Sequence, residues 1–318
     1  MAALSVMTCA TEGFSLIRRR PWAFVGWALF WLVLGMGPLV IAVAGLAPKL
    51  VDFITEALTA HNAHDPIAVQ HLLEDELGIA TVLAPWGLWL FVSSTFLYAA
   101  VLRAVLEPSK SAFAYFRVGM DEVRLFFVRI VFAVLTLAIF VAIAGAGVVL
   151  FVASDRLIGH PWQGWIDCLV IILGFCLLVW VLFRLSMAFA MTFADKRLRI
   201  FESWALTRGH FWGLVGVWAM SVAIILAVAV GFGFVRQFAF LAVGLSTGAF
   251  DQLGSMQTLG EDLRKGLTAM LAAFGPAIVA LFIIQAIEDA VVRVIFIASY
   301  ARAYAQLSGH AAPAEQGS

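Results

Sequence analysis

The segment LFFVRIVFAVLTLAIFVAIAGAGVVLFV, residues 125–152, decides the fold class of this chain. After Arg129 it contains no charged residue, and its apolar residues do not alternate with polar ones. An apolar run of about 20 residues or more is long enough to cross a bilayer as an α-helix, whereas the strands of a membrane barrel would alternate. The segment therefore predicts a transmembrane helix.

The composition of the whole chain agrees with this prediction. Of the 318 residues, 63% are hydrophobic and 13% are charged, and the mean hydropathy is +1.00. Soluble domains contain about 45–50% apolar and about 25% charged residues. So few charged residues cannot cover a surface that faces water, so lipid must be the main solvent. In lipid, α-helices satisfy the hydrogen bonds of their own backbone N–H and C=O groups. The net charge is zero and no basic tail is present, so no nucleic-acid partner is predicted.

Six apolar segments of sufficient length follow one another along the chain. They are residues 22–46, 79–105, 125–152, 166–193, 211–234 and 269–303. We therefore predict an all-α, polytopic membrane domain with six transmembrane helices arranged as three hairpins. The sixth segment is the least regular, because Gln285, Glu288, Asp289 and Arg293 interrupt it.

The basic residues predict the orientation of these helices. If the N-terminus is cytoplasmic, fifteen of the 20 lysines and arginines fall on the cytoplasmic side and five on the other. Cytoplasmic segments of membrane proteins are enriched in both residue types. Both termini are therefore predicted to be cytoplasmic, with residues 309–318 as a disordered tail.

Two longer outer loops are predicted over residues 47–78 and 235–268. The first is acidic and contains apolar residues at helical spacing, and Asp65-Pro66 is typical of a helix start. We expect short amphipathic helices lying on the outer surface there. The histidines of this loop match no metal-ligand pattern, so no metal site is predicted.

A weak repeat supports the division into three hairpins. Before each ascending span, a basic and aromatic segment is predicted on the cytoplasmic side, beginning at Phe14, Phe116 and Trp204. Near the inner end of each descending span lies one arginine: Arg103, Arg184 and Arg293. The general enrichment of basic residues on the cytoplasmic side would also produce such positions, so it stays the alternative explanation.

Three segments resemble a loosely defined group of six-helix bacterial membrane proteins: FAYFRVGMDEVRL at 113–125, RLSMAFA at 184–190 and FESWALTRG at 201–209. That group includes the membrane domain attached to some glycerophosphodiester phosphodiesterases. The resemblance covers most of the chain and implies a bacterial inner membrane. The chain has no room for a phosphodiesterase domain, so we expect no hydrolase activity.

Ionisable residues at membrane depth are candidates for function, because each costs roughly 2.5–3.5 kcal/mol to insert. The clearest cluster is Glu288, Asp289 and Arg293, in which the arginine lies about one helical turn from both acids. If the last span covers residues 276–301, the cluster lies near the midplane and either pairs internally or relays a proton. If the span covers residues 269–288, the cluster lies at the inner interface. We favour internal pairing.

Arg103 and Arg184 are predicted contacts for an anion or a lipid head group. They either face the bundle interior or, more simply, extend to the head groups of the inner leaflet. Ser93, Ser94 and Thr95 form a polar patch on the helix of Arg103, and such hydroxyls commonly bond a neighbouring helix.

The chain contains no recognised enzyme or cofactor-binding motif, so we predict a non-catalytic protein without a cofactor. Its expected partners are membrane lipids, with a second copy of the chain or another membrane protein as further candidates. The leading hypothesis is a lipid-interacting module or a scaffold for a partner. The alternative is a transporter or channel for a small anionic solute. In that case Arg103, Arg184 and Arg293 would converge on one cavity with residues 93–95.

Overall fold

The structure is a computed structural model that describes residues 4–39, 41, 66–109, 112–157, 160–246 and 263–309. Every regular element within these ranges is helical, which confirms the all-α class. A π-helical turn, Trp31–Met36, continues the second helix. The α-helices of the described ranges are α1 (Val6–Arg19), α2 (Pro21–Phe30), α3 (Pro66–Leu106), α4 (Met120–Leu157), α5 (His160–Leu185), α6 (Ala188–Asp195), α7 (Glu202–Leu206), α8 (Phe211–Ser246) and α9 (Leu263–Ser308).

Several helical segments are long and apolar enough to cross a membrane. Within the described ranges there are five: Pro21–Leu39, Ala84–Leu106, Phe113–Val152, Cys168–Asp195 and Phe211–Ser246. They overlap with the first five predicted spans, with different ends, and support a helical membrane protein with several crossings. The sixth predicted span, residues 269–303, lies within the 46-residue helix α9, whose described part carries Glu288, Asp289 and Arg293. The count of six spans stays a prediction.

The predicted outer loops are shorter than expected, because three helices continue beyond their apolar segments. Residues 66–78 belong to α3, residues 235–246 belong to α8 and residues 263–268 belong to α9. The predicted helix start at Pro66 is confirmed, but the expectation of a short, separate helix there was wrong, since α3 continues for 41 residues, about 60 Å. Extending an existing helix adds one hydrogen bond per residue, whereas nucleating a new one is unfavourable. The rest of these loops and the predicted tail lie outside the described residues, apart from Gly309: residues 47–65, 247–262 and 310–318.

The described helices form two compact units. The first comprises Met1–Arg19, Tyr98–Val222 and Ile295–Ser318, and the second comprises Arg20–Leu97 and Ala223–Val294. Arg103 and Arg184 therefore belong to the first unit, and the charged cluster of α9 belongs to the second.

In the first unit α1 packs closely against α9. Gly13 faces the backbone of Ile295, and the Ser299 hydroxyl donates to the carbonyl oxygen of Ala10 at 3.4 Å. Burial raises the pKa of the Cys9 thiol, one helical turn from Gly13, to about 11. Helix α1 is thus part of the core of this unit.

Gly13→Ala is expected to destabilise the protein. A Cβ atom at this position would approach the Cα atom of Ile295 more closely than real Cβ atoms approach backbone, so α1 would have to move away from α9. Overpacking of this kind costs roughly 1–3 kcal/mol. Gly145→Ala is the matched control, because a Cβ atom there meets no atom within 4 Å. Thermal unfolding in detergent should show a lower midpoint for Gly13→Ala alone, and equal midpoints would contradict the close packing.

Candidate functional site

Arg103, near the C-terminal end of α3, is a buried cation that is paired within the chain. It is 2% exposed, and its Nη2 atom donates to Oε1 of Glu122 at 2.6 Å. Its Nη1 atom donates to the carbonyl oxygen of Tyr115 at 2.6 Å, and its Cζ atom lies 5.5 Å from the centre of the Phe193 ring. A buried charge is tolerated only with such a partner. The anion that we expected at Arg103 is therefore a carboxylate of the chain itself.

The Tyr115 carbonyl reaches Arg103 because the chain forms a left-handed turn before α4. Phe113, Ala114 and Tyr115 have φ angles of 53°, 53° and 66°. This conformation costs about 1–2 kcal/mol for each L-residue. The hydrogen bond from Arg103 and the burial of the Tyr115 ring, which is 1% exposed, offset that cost. No glycine or asparagine occupies the turn, so it could not be predicted from the sequence.

A second carboxylate beside Glu122 extends the network of charges. Asp121 accepts hydrogen bonds from Nζ of Lys196 at 2.9 Å and from Nη1 of Arg124 at 3.0 Å. The Lys196 ammonium also pairs with Glu107 at 3.1 Å. Alternating charges thus link the end of α3, the start of α4 and the end of α6, which gives the region a structural role.

Arg184, at the end of α5, lies among aromatic rings instead of acids. Its Cζ atom is 5.6, 5.6 and 5.8 Å from the ring centres of Trp180, Trp204 and Phe211. Ring faces attract a cation but do not neutralise it. The Nε and Nη1 atoms are buried without a hydrogen-bond partner, and no carboxylate of the described residues forms an ion pair with them. Arg184 therefore keeps a positive charge and two unused donors.

Hydroxyl groups around α7 hold the backbone beside Arg184. Ser203 Oγ and Thr207 Oγ1 both donate to the Arg184 carbonyl oxygen, at 2.9 and 3.3 Å. Trp204 lies between these two residues in the sequence, so the same hydrogen bonds position its ring. Phe211 is the first residue of α8. The guanidinium therefore lies beside the first residue of α8, where the predicted fifth span begins.

In the second unit the acids of α9 are hydrogen-bonded to residues from other helices and from α9 itself. Arg236 of α8 forms an ion pair with Glu288, which is 6% exposed, and donates to Oε1 of Gln285 at 2.5 Å. Gln285 Nε2 donates to Oδ1 of Asp289 at 3.0 Å, and Trp31 Nε1 donates to Oδ2 of Asp289 at 3.3 Å. These bonds join the π-helical turn, α8 and α9.

Arg293 contacts an aromatic ring rather than these acids. Its Cζ atom lies 3.9 Å from the centre of the Trp31 ring, and its Nε atom has no hydrogen-bond partner. Gly35 leaves room for the ring, because a Cβ atom there would lie 2.7 Å from it. Helical spacing suggested that Arg293 pairs with the acids of its own helix. The sequence analysis did not identify Arg236 as the partner of Glu288, because Arg236 lies two residues beyond the predicted fifth span.

The helices of this network give two different depths for it. Trp31 lies ten residues, about 15 Å, beyond Pro21, the first residue of the first candidate span. Arg236, which pairs with Glu288, lies 25 residues, about 37 Å, beyond Phe211, the first residue of the predicted fifth span. The first distance is half of a hydrocarbon thickness of about 30 Å and the second exceeds it, so the depth of Asp289 and Arg293 stays a prediction.

The hydroxyls of Ser93, Ser94 and Thr95 donate within α3. Their acceptors are the carbonyl oxygens of Trp89, at 2.7 Å, and of Phe91, at 3.0 and 2.8 Å. Bonds of this type satisfy a hydroxyl inside a helix without a substrate. In the described part of the chain, the hydrogen bonds and ring contacts of the three arginines do not include this patch.

No protein-family model, curated protein or solved structure matches this chain. Within the described residues there is no group of three or more His, Cys, Asp or Glu side chains that could hold a metal ion. The surroundings of the arginines therefore carry the functional inference.

Glu122→Gln is expected to destabilise the first unit strongly. It would leave Arg103 as a buried cation beside a neutral amide, and breaking a buried pair costs about 3–5 kcal/mol. Arg199→Gln is the control, because its pairs with Asp195 and Glu202 are partly exposed and such pairs contribute at most about 1 kcal/mol. Thermal unfolding should show a large decrease only for Glu122→Gln. Adding Arg103→Met should restore part of the loss, and a double variant without recovery would contradict an unpaired charge as the cause.

Proposed function

We propose that this chain is a non-catalytic, multi-span membrane protein that binds anionic lipid head groups at its inner face through Arg184. One observation carries the proposal: three aromatic rings surround the guanidinium, while its buried Nε and Nη1 atoms have no hydrogen-bond partner.

A lipid phosphate has the chemistry that the Arg184 site lacks. Each unsatisfied buried donor costs about 1–3 kcal/mol, and more on a charged group. A phosphate offers negative charge and several acceptor oxygens, and guanidinium groups bind phosphate through parallel hydrogen bonds. Trp204 and Trp212 are 38% and 80% exposed, as expected for tryptophans at a membrane interface where phosphates lie.

The contrast with Arg103 supports a ligand at Arg184. Both arginines lie near the ends of predicted descending spans, and each contacts the segment that follows in the chain. For Arg103 that segment supplies the carboxylate of Glu122. For Arg184 it supplies hydroxyls and rings, including Trp204 and Phe211. The negative charge is thus left for a molecule from outside the chain.

We also propose six spans in three hairpins, with both termini cytoplasmic. The distribution of basic residues and the length of α9 support this arrangement. The resemblance to six-helix bacterial proteins supports a bacterial inner membrane. Arg103 contacts Tyr115, in the turn just before the second hairpin, and Arg184 contacts Phe211, at the start of the third. Arg293 contacts Trp31, which lies within the first span.

Arg184→Gln is expected to weaken binding of anionic phospholipid about tenfold, the effect of losing one charge-assisted hydrogen bond of about 1.5 kcal/mol. Native mass spectrometry of the full-length protein, titrated with phosphatidylglycerol, measures this binding. Diacylglycerol serves as the phosphate-free comparison. Arg199→Gln, on the same predicted face, should bind as the wild type does. Equal phosphatidylglycerol binding by the Arg184→Gln and Arg199→Gln variants would refute the proposal.

The charged network of α8 and α9 favours one second candidate, a transporter or channel for a small anionic solute. Arg236 and Arg293 bring two cations to the acids of α9, and Nε of Arg293 lacks a partner. Charged groups within transmembrane helices are often part of a solute path.

Under this second candidate, Arg293→Gln should abolish anion flux. Proteoliposomes containing the full-length protein are loaded with chloride or inorganic phosphate, and efflux is followed with time. Wild type and Arg199→Gln should release the anion at the same rate, because Arg199 lies outside the network. No flux above that of empty liposomes would exclude transport of these anions.

A further inference from the structure

A cavity of about 300 Å³ lies within the first unit, beside the turn between α5 and α6. Ser186 is in that turn, and its hydroxyl donates to the carbonyl oxygen of Phe183 at 2.8 Å, a bond that competes with the regular helical pattern. Rings from six helices line the space. They are Tyr98, Phe132, Phe183, Phe189, Trp218, Phe296 and Tyr300.

The cavity adjoins the Arg184 site through one aromatic contact. Phe183 lines the cavity, and its ring centre lies 5.7 Å from that of Trp218 on the cavity wall. On its other side Phe183 contacts Phe211 at 6.0 Å, and Phe211 lies 5.8 Å from Cζ of Arg184. An apolar space and an unpaired cation therefore lie side by side within one unit, which is the arrangement that an amphiphile with an anionic end requires.

We propose that the cavity and Arg184 form one binding site for a single anionic glycerophospholipid, with part of one acyl chain in the cavity and the phosphate at the guanidinium. This inference rests on the proposed function and names the ligand class of the same site. The acyl chain gains no hydrophobic free energy on leaving the bilayer for an apolar cavity, so its burial among aromatic rings contributes through close packing and dispersion. The phosphate supplies the acceptors that Nε and Nη1 lack.

The size of the cavity limits the occupant to one chain. Ligand pockets span roughly 300–1,000 Å³, and this cavity lies at the lower end of that range. It therefore accepts a segment of one chain and leaves the second chain in the bilayer. Such an occupant remains continuous with the surrounding leaflet, so it enters from the side and needs no aqueous path.

The polar groups of the lining favour an ester lipid over a prenyl phosphate. Tyr98, Ser186 and Tyr300 bring three hydroxyls to an otherwise apolar wall. Within the described residues the two phenol groups form no hydrogen bond with protein. The ester carbonyls of a glycerophospholipid lie between phosphate and chain and accept hydrogen bonds, whereas a prenyl phosphate has no such acceptor.

Photo-cross-linking of the full-length protein in nanodiscs tests the site. The probe is phosphatidylglycerol with a diazirine on one acyl chain, and labelled peptides are identified by mass spectrometry. We expect labelling of the peptides that contain residues 182–189 and 296–300. Leu182→Trp, which fills the cavity, should reduce this labelling at least fivefold. Ile172→Trp, at a 52% exposed position on the same helix, is the matched control and should leave it unchanged.

A second measurement separates the chain site from the phosphate site. Binding of glycerol 3-phosphate, which has no chain, is measured by calorimetry on the wild type, Leu182→Trp and Arg184→Gln. The proposal expects binding to be retained in Leu182→Trp and lost in Arg184→Gln, while Arg184→Gln also loses the cavity cross-links. Val179→Phe replaces Leu182→Trp if thermal unfolding shows that the latter does not fold.

The remaining outcomes overturn the proposal in distinguishable ways. Wild-type cross-links confined to exposed helix faces, with phospholipid binding still weakened by Arg184→Gln, refute the chain site and leave head-group binding in place. Glycerol 3-phosphate binding without any cavity cross-link indicates a soluble phosphate ester as the ligand. If the Arg184→Gln variant keeps both phospholipid binding and the cavity cross-links, the proposed function is refuted as well.

Discussion

A positive charge that leaves water must find a partner, and this constraint organises the described core of the protein. Hydrocarbon cannot solvate a guanidinium, and an unpaired one inside it costs several kcal/mol. Arg103 meets the constraint with the carboxylate of Glu122 and a backbone carbonyl. Arg293 meets it with the face of Trp31, near Asp289. Arg184 contacts only ring faces, which attract the cation but do not supply a negative charge to pair with it.

The spans could be predicted from sequence because hydropathy reports the surroundings of a segment directly. The ends of the helices could not be predicted in the same way. Residues 66–78 combine acidic residues with apolar residues at helical spacing, which predicts an amphipathic helix without indicating whether that helix joins the span. Once the apolar part of α3 is formed, each further residue adds a hydrogen bond at small cost, so the helix extends back to Pro66. The helical conformation of this segment could therefore be predicted from the sequence, but not its unbroken continuation into the span.

The candidate residues were found by their position in the chain, but their partners were not. Arg103 and Arg184 stand out as charges in apolar segments, which is a local property. The pairing of Glu288 with Arg236 joins residues of two different helices, and helical spacing contains no information about it. The left-handed turn at Phe113 is also invisible in sequence, because its cost is offset by tertiary contacts rather than by residues suited to that conformation. Tertiary partners decide whether a charge in a span is structural or free to act.

The aromatic surroundings of Arg184 suit a cation that must bind and release an anion. A carboxylate at the same place would hold the arginine in the empty state, as Glu122 holds Arg103, and would repel an arriving phosphate. Each ring face stabilises the guanidinium by about 0.5–2 kcal/mol without carrying a negative charge. The rings therefore hold the arginine when no ligand is bound and do not repel an anionic ligand. The hydroxyls of Ser203 and Thr207 bind the backbone carbonyl of Arg184 and leave its side-chain donors unused. The three rings thus hold the Arg184 side chain in place and leave its N–H groups available to bind an anion. An arginine with a purely structural role would instead have its N–H groups paired within the chain, as Arg103 does.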